Sequence, residues 1–256
     1  MALEIKVLDY GDIELESSFL VLGRDCGRVR RVPVLGMRGL QSHETMIENQ
    51  LKKHGLRLGD VRYVLHTHLH IDHAGKDDLF PMNTTVVLNR RELEYSVSGL
   101  MHPQYPAVDI KHLIDRLHTK GALRFLDLEI TGPVELMPGV TCEAAGGHTE
   151  GSMNVIVKTA DGTATICGDV IYDFNDQIIE PFREISDMEP RVTGNHGTTK
   201  RQEKAAIKKV LAHSRFALPI HDWPAIIDGG QVVGRLRDSV PGPIVQSLPQ
   251  RNWFPA

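Results

Sequence analysis

Apolar and polar positions along this chain follow two periods, and each change of period marks an element. Near the start, Glu4-Ile5-Lys6-Val7-Leu8-Asp9-Tyr10 alternates as a strand does, and Ser18-Phe19-Leu20-Val21-Leu22 is a short apolar run ending at Gly23. A helix is expected over 43–54, with Leu40, Ile47 and Leu51 on one face and Gly55 as its stop. Val61-Arg62-Tyr63-Val64-Leu65 and Thr84-Thr85-Val86-Val87-Leu88 read as strands, followed by helical stretches near 91–98 and 109–119. Strand-like pieces recur at 133–136, 140–145, 152–158 and 163–167, separated by Gly-containing turns. A helix over 200–213 carries the stripe Ala206, Ile207, Val210 and Leu211, and leads into the strand Phe216-Ala217-Leu218-Pro219-Ile220.

Strand runs in both halves, with helices between them, suggest two sheets packed together and covered by helices, an α/β arrangement. No repeat, low-complexity tract or linker interrupts the 256 residues, which read as a single domain over 1–256. With 41% hydrophobic and 24% charged residues, the composition is that of a globular protein with a sizeable core. A net charge of -4 gives no bulk attraction for phosphate backbones or anionic lipid, so no nucleic acid and no membrane is expected as partner. No apolar run approaches the ~20 residues that span a bilayer. Met-Ala-Leu-Glu-Ile-Lys-Val lacks a basic stretch followed by an apolar one, so a cytoplasmic location is expected.

Cys26, Cys142 and Cys167 are scattered, which argues against a disulfide framework or a thiolate zinc ribbon; they read as small buried hydrophobes. Residues 24–38 carry five arginines and read as a solvated loop or interface segment. The loops 24–38 and 96–108 could serve either as contacts of a homodimer or as substrate walls. Met101-His102-Pro103-Gln104-Tyr105-Pro106 is a Pro-broken part of the second.

Histidine changes the picture. Of 13 in the chain, four fall in His66-Thr67-His68-Leu69-His70-Ile71-Asp72-His73-Ala74-Gly75. Three imidazoles and a carboxylate this dense are costly to bury and are good ligands for zinc and similar divalent ions. A strand end running into a loop lets such side chains converge. His68 and His70 alternate and can share a face, while Asp72 and His73 lie on the turn beyond. His66 is expected to pack beneath the site. His43, His54, His102, His112, His118, His196 and His213 read as surface, helix or turn residues, with His196 the one that could approach a pocket.

His68-x-His70-x-Asp72-His73, followed by Gly75, resembles the signature of the metallo-β-lactamase superfamily. Further matches follow in order: His148 in Gly146-Gly147-His148-Thr149, Asp169 closing Thr165-Ile166-Cys167-Gly168-Asp169, and His221 in Pro219-Ile220-His221-Asp222. The resemblance implies an αββα sandwich of two mixed sheets flanked by helices. It implies two divalent metal ions, zinc by preference: one held by His68, His70 and His148, the other by Asp72, His73 and His221, with Asp169 bridging. The chain departs from the family in lacking an Asp-Thr-Gly turn between residues 20 and 45, so the strand region of about 1–40 reads as shortened. Gly-Gly before His148 stands where Pro-Gly is usual, and a looser turn is expected there.

The superfamily acts on lactams, lactones, thioesters and phosphodiesters, so fold alone does not choose a reaction. Tyr172, three residues after Asp169, resembles the N-acyl-homoserine lactonase branch, the quorum-quenching enzymes. That implies a hydrolase opening a lactone or related cyclic ester by attack of a metal-bridging hydroxide. Tyr172 would bind the carbonyl or oxyanion, and Asp72 or Asp169 would relay the proton. A glyoxalase-II-like thioesterase would use the same metals, but Arg235 and Arg237 are a thin pair for binding glutathione. A phosphodiesterase would want a basic channel, and a non-catalytic metal-binding scaffold would have lost ligands.

Overall fold

The computed structural model describes residues 3–5, 12–14, 38–40, 43–74, 76–99, 104–183, 189–192, 197–236 and 245–247. The expectations for 18–22, most of the arginine-rich loop, Cys26, Gly75, His102, His196 and Arg237 lie outside these residues. The chain divides into two compact units, one over 7–127 and one formed by 1–6 with 128–256.

In the 7–127 unit, β1 (Asp12–Glu14) and β2 (Arg38–Leu40) form a short antiparallel pair with Ile13 opposite Gly39. Helix α1 spans Ile47–Lys53 rather than 43–54. Its start is delayed because amides from its own first turn reach back to the preceding main chain. Asn49 Nδ2 donates to His43 O at 2.7 Å and Gln50 Nε2 to Glu44 O at 2.7 Å, holding 43–45 as a turn. Its stop is as expected, with Gly55 at φ +73°.

Strands β3 (Tyr63–Leu65), β4 (Thr85–Asn89) and β5 (Leu123–Leu126) form a parallel sheet with β4 in the centre. A central parallel strand is covered on both faces, which is why Val86, Val87 and Leu88 are continuous apolar residues with no exposure. Helix α2 (Arg90–Ser96) begins directly at the end of β4, and α3 (Ala107–Arg116) follows. They pack Tyr95, Ile110 and Leu113 with Tyr105, Leu69 and Leu88 into one core. Arg116 is buried at the end of α3 and donates to four carbonyls: Thr84 O at 3.0 Å, Ala122 O at 3.5 Å, Asp77 O at 2.7 Å and Phe80 O at 2.6 Å. Three of these bonds tie together carbonyls of the 77–84 stretch, where buried main-chain groups need partners.

The other unit opens with a short helix α4 (Leu128–Thr131) and builds an eight-stranded sheet. Its strands are β6 (Val134–Met137), β7 (Val140–Ala144), β8 (Met153–Thr159), β9 (Gly162–Gly168), β10 (Phe216–Pro219), β11 (Ala225–Asp228), β12 (Gln231–Leu236) and β13 (Val245–Ser247). Each pairs with the next; all pairs are antiparallel except β9 with β10. A parallel neighbour needs a crossover. Here it contains a π-helical turn over Asn175–Ile179, helix α5 (Glu180–Arg183) and helix α6 (Lys200–His213). Thr199 caps α6: Gln202 N donates to its Oγ1 at 3.2 Å, and Thr199 N donates to Gln202 Oε1 at 2.8 Å. The stripe Ala206, Ile207, Val210 and Leu211 is buried, packing with Cys167, Phe174, Ile178, Ala217 and Ile227.

The strands at 85–89, 134–137, 140–144, 153–159, 162–168 and 216–219 and the helix at 200–213 fall where the pattern put them. Strand β5, the helical turns over 175–183 and the β11–β12 hairpin were not anticipated. Of the first expected strand, only Glu4 and Ile5 are described, and Leu3 just before it bridges to Thr159. Among the described residues no helix is long and apolar enough to cross a membrane.

Candidate metal centre

In the 7–127 unit the chain leaves the sheet just after β3. The last ladder bond is His66 N to Val87 O at 3.0 Å. Beyond it the backbone bends, and the side chains of His68, His70 and His73 gather. The His68 ring centroid lies 4.7 Å from that of His70, edge-on, and 3.9 Å from that of His73. His73 Nε2 is 3.4 Å from Asp72 Oδ2. His68 and His70 are buried; Thr67 Oγ1 stands 3.2 Å from His68 Nδ1 and fixes that ring. His66 pairs with Asp77, its Nε2 2.9 Å from Asp77 Oδ1 and both residues buried.

In the 128–256 unit the donors come from strand ends. His148 stands in the connection from β7 to β8 at φ +70°, the one non-glycine residue in the left-handed region among those described. A bulky residue there is strained, and such strain persists where the surrounding structure enforces it. The enforcement is visible: Ser152 Oγ donates to Gly147 O and, at 3.2 Å, to Thr149 O, while Ala145 N donates to Ser152 O at 2.9 Å. The Gly146-Gly147 pair does not loosen this turn. A Cβ on Gly147 would lie 2.8 Å from Ala206 Cβ and 3.2 Å from Glu203 Cα, so the turn is pressed against α6.

Asp169 follows β9 and His221 follows β10, the two parallel neighbours, with Gly168 in register with Pro219. The buried Asp169 Oδ2 faces two imidazoles, His148 Nε2 at 3.5 Å and His221 Nε2 at 3.3 Å. Tyr172 stacks on His221 with centroids 5.0 Å apart and planes 4° from parallel, and meets His148 edge-on at 5.6 Å. Its backbone is held by Gln177 Oε1, which accepts from Tyr172 N at 2.6 Å and Asp173 N at 3.0 Å.

Asp222 was not singled out by the sequence, yet it joins these two loops. It accepts from Phe174 N at 2.9 Å and from Trp223 N at 2.7 Å, and pairs with Arg235. Arg235 also donates to Trp223 O at 2.9 Å and lies over the Phe174 ring at 4.9 Å, so it is committed to the fold rather than to an anionic ligand. Cys167 is no nucleophile. Burial, helped by the nearby Asp169 charge, pushes its thiol up to about 12.

The donor chemistry fits divalent cations. Neutral imidazoles at these separations present lone pairs, and a buried carboxylate oxygen facing two ring nitrogens suits a shared cation better than an empty core.

Residues 36–211 match the model of the metallo-beta-lactamase superfamily, and the chain belongs to that superfamily. The α/β class with mixed sheets and flanking helices is that fold. Among curated proteins, the chain is similar to an N-acyl homoserine lactonase of Bacillus thuringiensis, 29% identical over 141 residues, or 54% of this chain and 50% of that protein. N-acyl homoserine lactonase AttM of Azorhizobium caulinodans is 47% identical over 47 residues, 18% of each. The chain thus spans about half the length, or less, of the curated relatives it matches.

Among solved structures, an N-acyl homoserine lactone hydrolase with the product N-hexanoyl-L-homoserine at its catalytic metal center superposes with a TM-score of 0.60. It is 18% identical, covering 83% of this chain and 90% of that one. AidC, a dizinc quorum-quenching lactonase, gives 0.54 at 19% identity over 80% and 70% of the two chains.

Proposed function

We propose that this protein is a metal-dependent hydrolase that opens a lactone ring, with an N-acyl-homoserine lactone or a related cyclic ester as substrate. The observation that carries the reading is that the Tyr172 ring contacts both His221 and His148, the two imidazoles that face Asp169. The curated relatives named as N-acyl homoserine lactonases support it.

In this reading His68, His70 and His148 would hold one ion, Asp72, His73 and His221 the other, and Asp169 both. Zinc suits such ligands, and the dizinc neighbour agrees with that choice. Bound there, a divalent pair would supply a water acidified toward neutrality and would polarise the ester carbonyl. The Tyr172 hydroxyl donates a hydrogen bond to the carbonyl oxygen as negative charge develops on it. Asp72, more exposed than the histidines, passes the proton to the leaving alkoxide. Ile220 and Trp223 flank His221 with relative exposures of 51% and 48%, offering apolar surface to an acyl chain. A cytoplasmic, quorum-quenching role completes the reading; Cys142 and Cys167, buried as free thiols, suit a reducing compartment.

Proton release followed with a pH indicator tests this. The panel is homoserine lactones of short and long acyl chain, plain γ- and δ-lactones, and a glutathione thioester. Lactone turnover abolished by a chelator and restored by zinc is the expected result. Turnover of the thioester alone would move the protein to the glyoxalase-like reaction, and silence across the panel would remove the lactonase reading.

A further inference from the structure

We infer that Glu92 is a positioning residue for the His68–His70 pair, and that its carboxylate sets how tightly that pair holds a cation; the inference rests on the metal reading above. Glu92 lies on α2, buried at 1% exposure within the apolar core of the 7–127 unit. One carboxylate oxygen, Oε1, accepts two hydrogen bonds: from Leu69 N at 2.9 Å and from the Tyr105 hydroxyl at 3.0 Å.

Both donors bear directly on the histidines. Leu69 is the residue between His68 and His70, and its side chain is fully buried. The sheet ladder ends at His66, so the Leu69 N–H has no neighbouring strand to meet, and Glu92 takes the strand's place. The next amide on the same edge, Ile71 N, donates to Gln104 O at 2.9 Å. Tyr105 follows Gln104, and its ring packs 4.9 Å from the His70 ring. Glu92 therefore holds the backbone between the two imidazoles and, through Tyr105, one face of the second.

A buried carboxylate is costly unless it does something for its partners.

The test uses full-length protein stripped of metal and reloaded with cobalt. Cobalt affinity is measured by competition with a chromophoric chelator, together with the visible ligand-field spectrum and the thermal midpoint. Glu92→Gln keeps the size and the acceptor oxygen but removes the charge. It weakens the hydrogen bonds that fix the Leu69 backbone and Tyr105, and should weaken cobalt binding about 10-fold, the lower end for loss of an outer-shell support, and shift the spectrum. Tyr105→Phe leaves the carboxylate in place and should weaken binding by less than Glu92→Gln while moving the same bands. Should Glu92→Gln not fold, Glu92→Asp, which retains the charge at a shorter reach, should bind cobalt more weakly with an altered spectrum. Wild-type affinity and spectrum in Glu92→Gln, or in Glu92→Asp where that variant is the one that folds, would overturn the inference. So would a wild-type chain that takes up no cobalt. Weakened cobalt binding in Glu92→Gln, with no lactone turned over by the wild type, would support the role of Glu92 and overturn the lactone reading alone.

Discussion

The ring of Tyr172 lies on the ring of His221, 5.0 Å between centroids and 4° from parallel. A phenylalanine would keep that stack and lose only the hydroxyl. Tyr172→Phe should therefore retain metal content and fold while kcat on a homoserine lactone falls about 10²-fold, the scale of a lost oxyanion donor. Metal analysis beside steady-state kinetics checks this; unchanged kcat would make Tyr172 a packing residue.

Asp169 is different, because one of its oxygens faces His148 and His221 at once. Asp169→Asn keeps the shape and removes the charge. Metal content and turnover should fall together, and added zinc should restore turnover only in part. Full activity at wild-type metal content would defeat the bridging assignment.

Gly147 tests the turn that carries His148. A Cβ there would meet Ala206 Cβ at 2.8 Å, so Gly147→Ala should destabilise by about 1–3 kcal/mol through overpacking. The urea midpoint measures it. Ala206→Gly in the same chain should recover part of the loss, whereas Gly146→Ala, strained by φ +78° with nothing within 4 Å, should gain nothing from Ala206→Gly.

Asp109, in the first turn of α3, gives a pH prediction. Desolvation raises its carboxyl above the ordinary range, with smaller opposing help from His112 and further raising by Asp77 and Asp78. A carboxyl raised in the fold contributes stability below its unfolded value and loses it as pH rises through the folded one. Asp109→Asn should therefore melt higher than the wild type at pH 7, and the advantage should vanish below the ordinary carboxylate range. Melting scans across pH would show it; an advantage that is flat with pH would contradict the assignment.

The elements that could be read from sequence share one property: their residues alone declare the period. The α6 stripe and the apolar β4 run are of this kind. The hairpin of β11 and β12 was not anticipated, although Gly229-Gly230, at φ +55° and +79°, stands between two β-branched runs and is a turn signal. Nor was the π-helical turn at Asn175, because Gln177 and Asp222 hold that segment through contacts distant in the chain or specific to its fold.

The histidines and carboxylates of the candidate site could be listed because a dense ligand motif is rare in sequence. Their supporting residues could not be listed so easily. Glu92 reads as one more charge in Arg90-Arg91-Glu92-Leu93-Glu94, and only its helical spacing from the buried Tyr95 and Ser96 hints that it faces inward. Asp222 and Arg235 pair across a hairpin, which no local pattern reveals.

Asp169 and His221 stand just past the ends of β9 and β10, where Gly168 and Pro219 are register partners beyond a bulge at Leu218/Pro219. The distance between these two donors is thus inherited from backbone register rather than from the identity of surrounding side chains. The loops that follow each strand can consequently be exchanged or lengthened with the donor spacing intact. This makes the substrate-facing loops the natural ground for diversification, by selection in the laboratory or by descent.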